Sequence, residues 1–372
     1  MRFLSDSFRH ISARSLHHLS KSPQVIKSAI IPSKMPVTVL NEIQKLELSE
    51  PAQNNRPRPQ SERPPKVRPA KPKPGQPSKA DRQIPISPIL SKTGSPVPLI
   101  DIGANLTGRK FSKHAIPSVL QRASQAGITH IIITGTSYSG SKSALELCGE
   151  FDGTENVKLR CTVGIHPHDA TSTLKGPHAA YFEKGLEGLI MSDLGRKYCV
   201  AVGECGLDYD RKFSTHEDQK IVFERQLELA RKLGKPVFLH SRDAHHDFLG
   251  TLKPFLSTIK GVAHCHTDPS IENLKELLDA GVYIGLTGMI CDERENRFNT
   301  DILQYIPLDR LMVETDSPYL FPRNVPRPWG KWENEPCLTS FVVRKIVEVC
   351  PQYTEEEVAM KTTAVAKEFF GL

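Results

Sequence analysis

Four short apolar runs in this chain each deliver one metal-ligand side chain. VAVGECG carries Glu204, PVFLH ends at His240, GVAHCH carries His264 and LMVETD ends at Asp316. A run of β-forming residues that stops at a single polar group is how a strand brings a side chain to one rim of a sheet or barrel. One such ending carries no weight, but one Glu, two His and one Asp in equivalent positions describe a divalent cation site built from separate strands. Carboxylate and imidazole ligands suit Mg²⁺, Mn²⁺ or Zn²⁺ and leave positions open for water and substrate. No thiolate belongs to the set, which argues against a structural zinc. The chemistry expected is metal-assisted hydrolysis.

The neighbours of these residues extend the reading. Arg242 stands two positions after His240, so it faces the same side if the strand continues, where a guanidinium would grip a phosphate. Its competing role is an ion pair with Asp243 or Asp247. His166 and His168 in GIHPHD follow the third apolar run and could reach substrate or metal, or else shape the loop around Pro167. Asp208 and Asp210 in GLDYDR read first as an Asp-rich turn and second as site residues.

These side chains need elements to hold them. From Val97 onward, strand-like runs at 97–103, 128–135, 159–166, 199–206, 236–241, 261–266, 282–288 and 311–316 alternate with amphipathic stretches of helical length. The clearest helix spans 216–233, keeps Ile221, Phe223, Leu227, Leu229 and Leu233 among charges, and stops at Gly234. Gly127 and Gly281 end others, while Pro117 and Pro269 stand near helix starts. Eight strands with intervening helices predict an α/β fold, a (β/α)8 TIM barrel over residues 97–372. A doubly wound open sheet is the alternative, because periodicity does not decide closure.

The remainder of the chain differs in composition. Residues 51–98 hold 13 of the 29 prolines and no aromatic residue. Such a stretch buries too little apolar area to offset chain entropy, so 35–96 is expected to be a disordered Pro/Lys/Arg-rich linker. Residues 1–82 carry 16 Lys and Arg against 6 Asp and Glu, a net of +10, whereas the other 290 residues are net −3. The overall charge of +7 therefore says nothing about the barrel. The basic extension reads as a solvated spacer, or as an arm for nucleic acid or a protein partner.

Within it, residues 1–34 open with Arg2, Arg9, Arg14 and Lys21 against Asp6, with Leu4, Phe8, Ile11, Leu16 and Leu19 at roughly helical spacing. That composition fits a mitochondrial targeting segment, the alternative being an untargeted leader in a cytoplasmic or nuclear protein. Eight cysteines without C-x-x-C spacing read as reduced residues of an intracellular protein. No apolar run is long enough for a membrane span. The oligomeric state is not legible.

Hydrolases of this architecture often carry an H-x-H pair at the end of the first strand. Here LIDIGANLT offers Asp101, Gly103 and Asn105 instead, so one ion should be held firmly and a second weakly, or only when phosphate completes its shell. IDIGANLT, GECGLDYDRKFST, PVFLHSRDAH, YIGLTGMICDER and ETDSPYLFPR together resemble the TatD family of metal-dependent deoxyribonucleases, in the branch with D-x-G-x-N in place of H-x-H. The resemblance runs from about residue 97 to 372. It implies a (β/α)8 barrel and Mg²⁺-assisted cleavage of phosphodiesters, typically 3′→5′ exonuclease action on DNA and sometimes RNA. It also implies Glu204, His240, His264 and Asp316 as metal ligands, with Glu204 able to bridge two ions. The chain departs from the family after His264: members commonly show an aromatic and then Gly, where this chain has His266 and Asp268.

The mechanism expected is in-line attack of water on a phosphodiester, with the metal lowering the pKa of that water. Asp316 would orient or deprotonate it, Glu204 would serve with it in catalysis, and Arg242, His166 and His168 would hold substrate. A net-negative barrel favours strand ends or single strands over long duplex. Two other classes compete: a metal-dependent hydrolase of a small-molecule amide or ester or an aminoacyl-tRNA ester, and a non-catalytic scaffold working through its tail.

Overall fold

The eight apolar runs pair edge to edge in chain order, every pairing parallel. They are β1 (Leu99–Ala104), β2 (Ile128–Ile133), β3 (Lys158–Val163), β4 (Cys199–Asp208), β5 (Val237–Arg242), β6 (Gly261–Ala263), β7 (Tyr283–Leu286) and β8 (Leu311–Val313). The computed structural model describes residues 84–372 apart from 177–178, 180–181, 295–297 and 327–332. The segment expected to target mitochondria, 1–34, and most of the linker expected over 35–96 lie outside the described residues.

The first and last strands meet. Ala104 bridges Ser317 in parallel, Asp316 N–H donates to Gly103 O at 2.8 Å, and Asn105 N–H donates to Ser317 O at 2.7 Å. Asp101 adds a side-chain clamp across this seam, accepting from Thr315 Oγ1 at 2.5 Å and from Thr315 N–H at 2.9 Å. The sheet closes into a barrel, so the open-sheet alternative falls.

Between strands run α1 (Ile116–Gln125), α2 (Tyr138–Phe151), α3 (Ala170–Lys175), α4 (Phe182–Met191), α5 (Asp193–Tyr198), α6 (His216–Leu233), α7 (His245–Leu252) and α8 (Ile271–Asp279), and after β8 come α9 (Thr339–Val349) and α10 (Glu355–Phe370). The sequence explains their ends. At α6 the Thr215 side chain accepts from Asp218 N–H, and Gly234 takes the left-handed φ of 62° that releases the chain. Its buried stripe of Val222, Phe223, Leu227 and Ala230 faces the strands, as its 3.6-residue period requires.

Inside the barrel, Ile100, Ile102, Ile132, Val200, Phe238, Val262 and Met312 form one apolar cluster with Val365, Ala366, Phe369 and Phe370 of α10. The last helix therefore plugs the end where the strands begin. Each large side chain so buried contributes about 1.5–3 kcal/mol.

Residues 84–96 depart from the expected linker. Ile89 is fully buried, Val97 N–H donates to Ile89 O at 2.8 Å, and Arg344 donates to the carbonyls of Ser87 and Pro88 at 3.0 and 3.2 Å. IPISPIL keeps enough apolar residues between its prolines to pack against the barrel, so the ordered part starts ahead of residue 97.

Candidate functional site

At the opposite end, where the strands finish, the side chains are polar. β4 is ten residues long and buried throughout, running past Glu204 to Asp208. The period of two sets Glu204, Gly206 and Asp208 on one face. Its register with β5 shifts between Gly203 and Cys205, and the Gly203–Glu204 peptide is cis. Gly206, with φ of 145°, admits the neighbouring backbone so closely that a Cβ there would lie 1.9 Å from His240 O.

Glu204 is the hub. Its Oε1 lies 3.2 Å from His166 Nε2, 2.9 Å from His240 Nδ1 and 2.8 Å from His264 Nε2. Burial alone would raise its pKa, yet the imidazoles of His166, His264 and His240 hold it well below the usual carboxylate range. Burial likewise pushes His240 and His264 down, but their carboxylate partners prevail and raise both; at His166 burial wins and lowers it.

His240 connects this hub to a second acid. Its Nε2 is 3.2 Å from Asp208 Oδ2, which also takes His168 Nε2 at 2.8 Å. Asp208 is buried, yet these hydrogen bonds and that from Arg211 N–H depress its pKa strongly. Asp208 joins the His168–His240 network through Oδ2 while its Oδ1 accepts from Arg211 N–H, so it serves the turn and the network at once. The strand runs two residues past the apolar run 199–206 to reach it.

Arg242 closes β5, so the strand does continue past His240, and its guanidinium lines the same cavity while pairing with Asp210 at 2.9 Å. Neither Asp243 nor Asp247 is its partner in that pair. The cavity holds about 920 Å³ and is lined by His168, Asp208, Arg211, His240, Arg242 and Asp316 among others. Two exposed aromatic rings belong to the same rim. Phe213, 67 % exposed, packs on the His168 ring at 4.8 Å, and Tyr319, 56 % exposed, lines the cavity.

Asp316 stands apart from the other acids. It follows β8 with a left-handed φ of 51°, and its Oδ1 accepts from Asn105 Nδ2 at 2.7 Å. Burial, with Glu204 and Glu314 nearby, raises its pKa to about 7, against the pull of His264 and Asn105. Asp243 and Cys265, just past β5 and in the β6 exit, share positive φ values of 51° and 45°. Non-glycine residues hold that conformation only where their surroundings over-determine it, as happens at binding sites.

The structure thus gathers Glu204, His240, His264, His166, His168 and Asp208 into one network, with Arg242 and Asp316 in its cavity. Among the described residues, His166, Glu204 and His240 present ligand atoms within 4.8 Å of one another. His266 is buried with Nε2 unpartnered, its pKa pushed down to about 4 by burial. Asp268 uses both oxygens at the start of α8, accepting from Ser270 N–H and Asn273 Nδ2. Ser270 caps that helix, and Asp268 braces the turn ahead of it.

Residues 100–371 match the profile of the family described as TatD related DNase. The 3′-5′ ssDNA/RNA exonuclease TatD of Edwardsiella piscicida is 44% identical over 249 residues, covering 66% of this chain and 90% of that protein. The protein of the same name from Klebsiella pneumoniae is 38% identical over 276 residues, covering 74% and 98%. Among solved structures, a TatD family hydrolase from Entamoeba histolytica superposes with a TM-score of 0.65 at 27% identity, covering 74% of this chain and 98% of that one.

Proposed function

We propose, from the premise that this chain belongs to the TatD related DNase family, that it is a metal-dependent nuclease hydrolysing phosphodiester bonds of single-stranded DNA or RNA. The observation that carries this reading is the meeting of three imidazoles on one Glu204 oxygen, one of which, His240, also lines the cavity that Arg242 lines. Three ring nitrogens cannot all donate well to one oxygen, whereas a divalent cation between them accepts lone pairs from every member. The donor set fits such an ion.

In this reading Glu204, His240, His264 and Asp316 would hold the ion, with His166 able to complete the set. When bound, the ion lowers the pKa of water and neutralises charge on the phosphate under attack. Asp316, its Oδ1 held by Asn105 Nδ2, would orient a water for attack on the phosphate and accept its proton. Arg242 and Arg211 face the phosphate oxygens, while Asp208 fixes the rings of His168 and His240. Phe213 and Tyr319 offer faces on which unpaired bases stack, which suits a single strand and makes few demands on sequence. Mg²⁺ is the ion the family resemblance implies, and a set of imidazoles with carboxylates also accepts Mn²⁺ or Zn²⁺.

Cleavage runs 3′→5′ in this proposal, as the names of the relatives have it for those proteins. The test is the full-length chain, wild type and Glu204→Ala, incubated with end-labelled single-stranded DNA and RNA in Mg²⁺ or chelator. Metal-dependent shortening from the 3′ end, lost in the variant, is expected. Absence of metal-dependent cleavage, or a variant equal to wild type, overturns the assignment; turnover of esters or amides without nucleic-acid cleavage would establish the competing hydrolase. In this proposal the basic residues after 34 serve as a spacer or as an arm for nucleic acid or a protein partner, and residues 1–34 direct the chain to mitochondria. A reporter fused to residues 1–50 and found diffuse would overturn the targeting.

A further inference from the structure

Glu314 is completely buried, two residues ahead of Asp316, and has no part in the chemistry above. Its Oε1 accepts from Cys265 N–H at 2.5 Å. Its Oε2 has no hydrogen-bond partner, and neither has Nδ1 of His264. The two atoms lie 3.4 Å apart. On the far side of the same ring, Nε2 is 2.8 Å from Glu204 Oε1. The His264 ring is thus suspended between two carboxylates, its plane set by Phe238, whose ring stacks at 4.4 Å and 29°.

The bland alternative is that Glu314 only fills space. A buried carboxylate without a cation costs several kcal/mol, so an apolar side chain would fill the same volume with less penalty. The surroundings are also cut to the carboxylate. A Cβ at Gly103 would sit 2.2 Å from Glu314 Oε2, and one at Gly285 would sit 2.8 Å from Oε1. Two strands, β1 and β7, omit their side chains where this acid lies.

We propose that Glu314 is a positioning residue that keeps the proton of His264 on Nδ1, so that Nε2 turns its lone pair toward the cation held with Glu204. A carboxylate is an acceptor only, and one facing a neutral imidazole nitrogen fixes the tautomer. This inference rests on the ligand reading given above. An amide in its place discriminates. In the Glu314→Gln variant the amide oxygen still accepts from Cys265 N–H, so the NH₂ group faces Nδ1 and favours a proton on Nε2, the tautomer that cannot bind a cation there.

The experiment is calorimetric titration of the full-length wild type and Glu314→Gln with Mn²⁺, with melting temperatures recorded free of metal. A 10–100-fold weaker affinity in the variant is expected, the usual cost of losing an outer partner of a metal ligand, with no fall in metal-free melting temperature. A space-filling role, which the isosteric amide would serve equally, leaves both melting temperature and affinity unchanged, and a variant binding within twofold of wild type overturns the proposal. If Glu314→Gln does not fold, ¹⁵N resonances of histidine in the Zn²⁺-loaded wild type decide. A proton on Nδ1 of His264 supports the proposal, and ligation through Nδ1 sinks it. A wild type that binds Mn²⁺ but cleaves nothing removes only the nuclease reading, and one that binds no cation removes both.

Discussion

The two ends of the barrel are made from the same eight strands and share almost no chemistry. Where the strands begin, Ile100, Ile132, Val200 and Met312 meet Phe369 and Phe370 of α10 in an apolar plug. Where they finish, three buried carboxyls (Glu204, Asp208 and Glu314) and the half-buried Asp316 share space with imidazoles, unpartnered polar atoms and left-handed residues. The first end stabilises; the second holds groups that would be cheaper to leave in water. The difference teaches that a barrel strand carries two separate demands along its length, and that stability at one mouth tolerates strain at the other.

The largest test of this division lies in the plug. Phe369→Ala should destabilise the fold by about 3–5 kcal/mol, read by denaturant unfolding, because the cavity cannot collapse among rigid strands. Cleavage per folded molecule should stay unchanged; a parallel fall in turnover would break the separation. Next comes the rim. Asp208→Asn should lower kcat/KM on single-stranded DNA by roughly 10–100-fold by freeing the His168 and His240 rings, with stability shifting by no more than about 1 kcal/mol. Phe213→Ala should raise KM by about fivefold with kcat intact, the loss of one stacking interaction worth about 1 kcal/mol.

A separate effect is in pH. His266 has a folded pKa of about 4, below the ordinary 6.5, so the unfolded chain binds the proton first and stability falls as pH drops from 6.5 toward 4. His266→Gln should flatten the metal-free melting curve in that window. His264, raised well above 6.5, works in the opposite sense: its contribution is complete below 6.5 and fades as pH climbs through its folded value. The Phe369→Ala protein should keep the wild-type slope, since it changes no ionisable group.

The sequence carried much of the barrel because parallel strands buried on both faces read as continuous apolar runs, and because helix ends such as Gly234 are written in glycine. Glu204, His240, His264 and Asp316 were visible because each interrupts such a run. Asp208 was hidden because the strand runs two residues past the apolar run that ends at Gly206, into GLDYDR, whose acids read as a turn. Glu314 escaped for a different reason. A lone acid inside an apolar run has no visible partner until β6 and β7 bring the Cys265 N–H, the His264 ring and the space at Gly285 around it. The β6 and β8 ladders are three residues long, shorter than their apolar runs, since His264 and Asp316 lie beyond the last pairing. Packing of 84–96 was masked by prolines between Ile84 and Leu90.

The joint between β1 and β8 has a thermal consequence. One residue bridge, two backbone hydrogen bonds and the Asp101–Thr315 clamp close the barrel, and they also turn Asp316 over into its left-handed pose. Such a short ladder opens at a lower free energy than the longer ladder between β4 and β5, so amide exchange at Asp316 reports partial opening of the wall. The acid is therefore set in place only while the barrel is shut. On warming, turnover is expected to fade ahead of the global melt, and activity and unfolding curves that coincide would show that the core, not the seam, sets the limit.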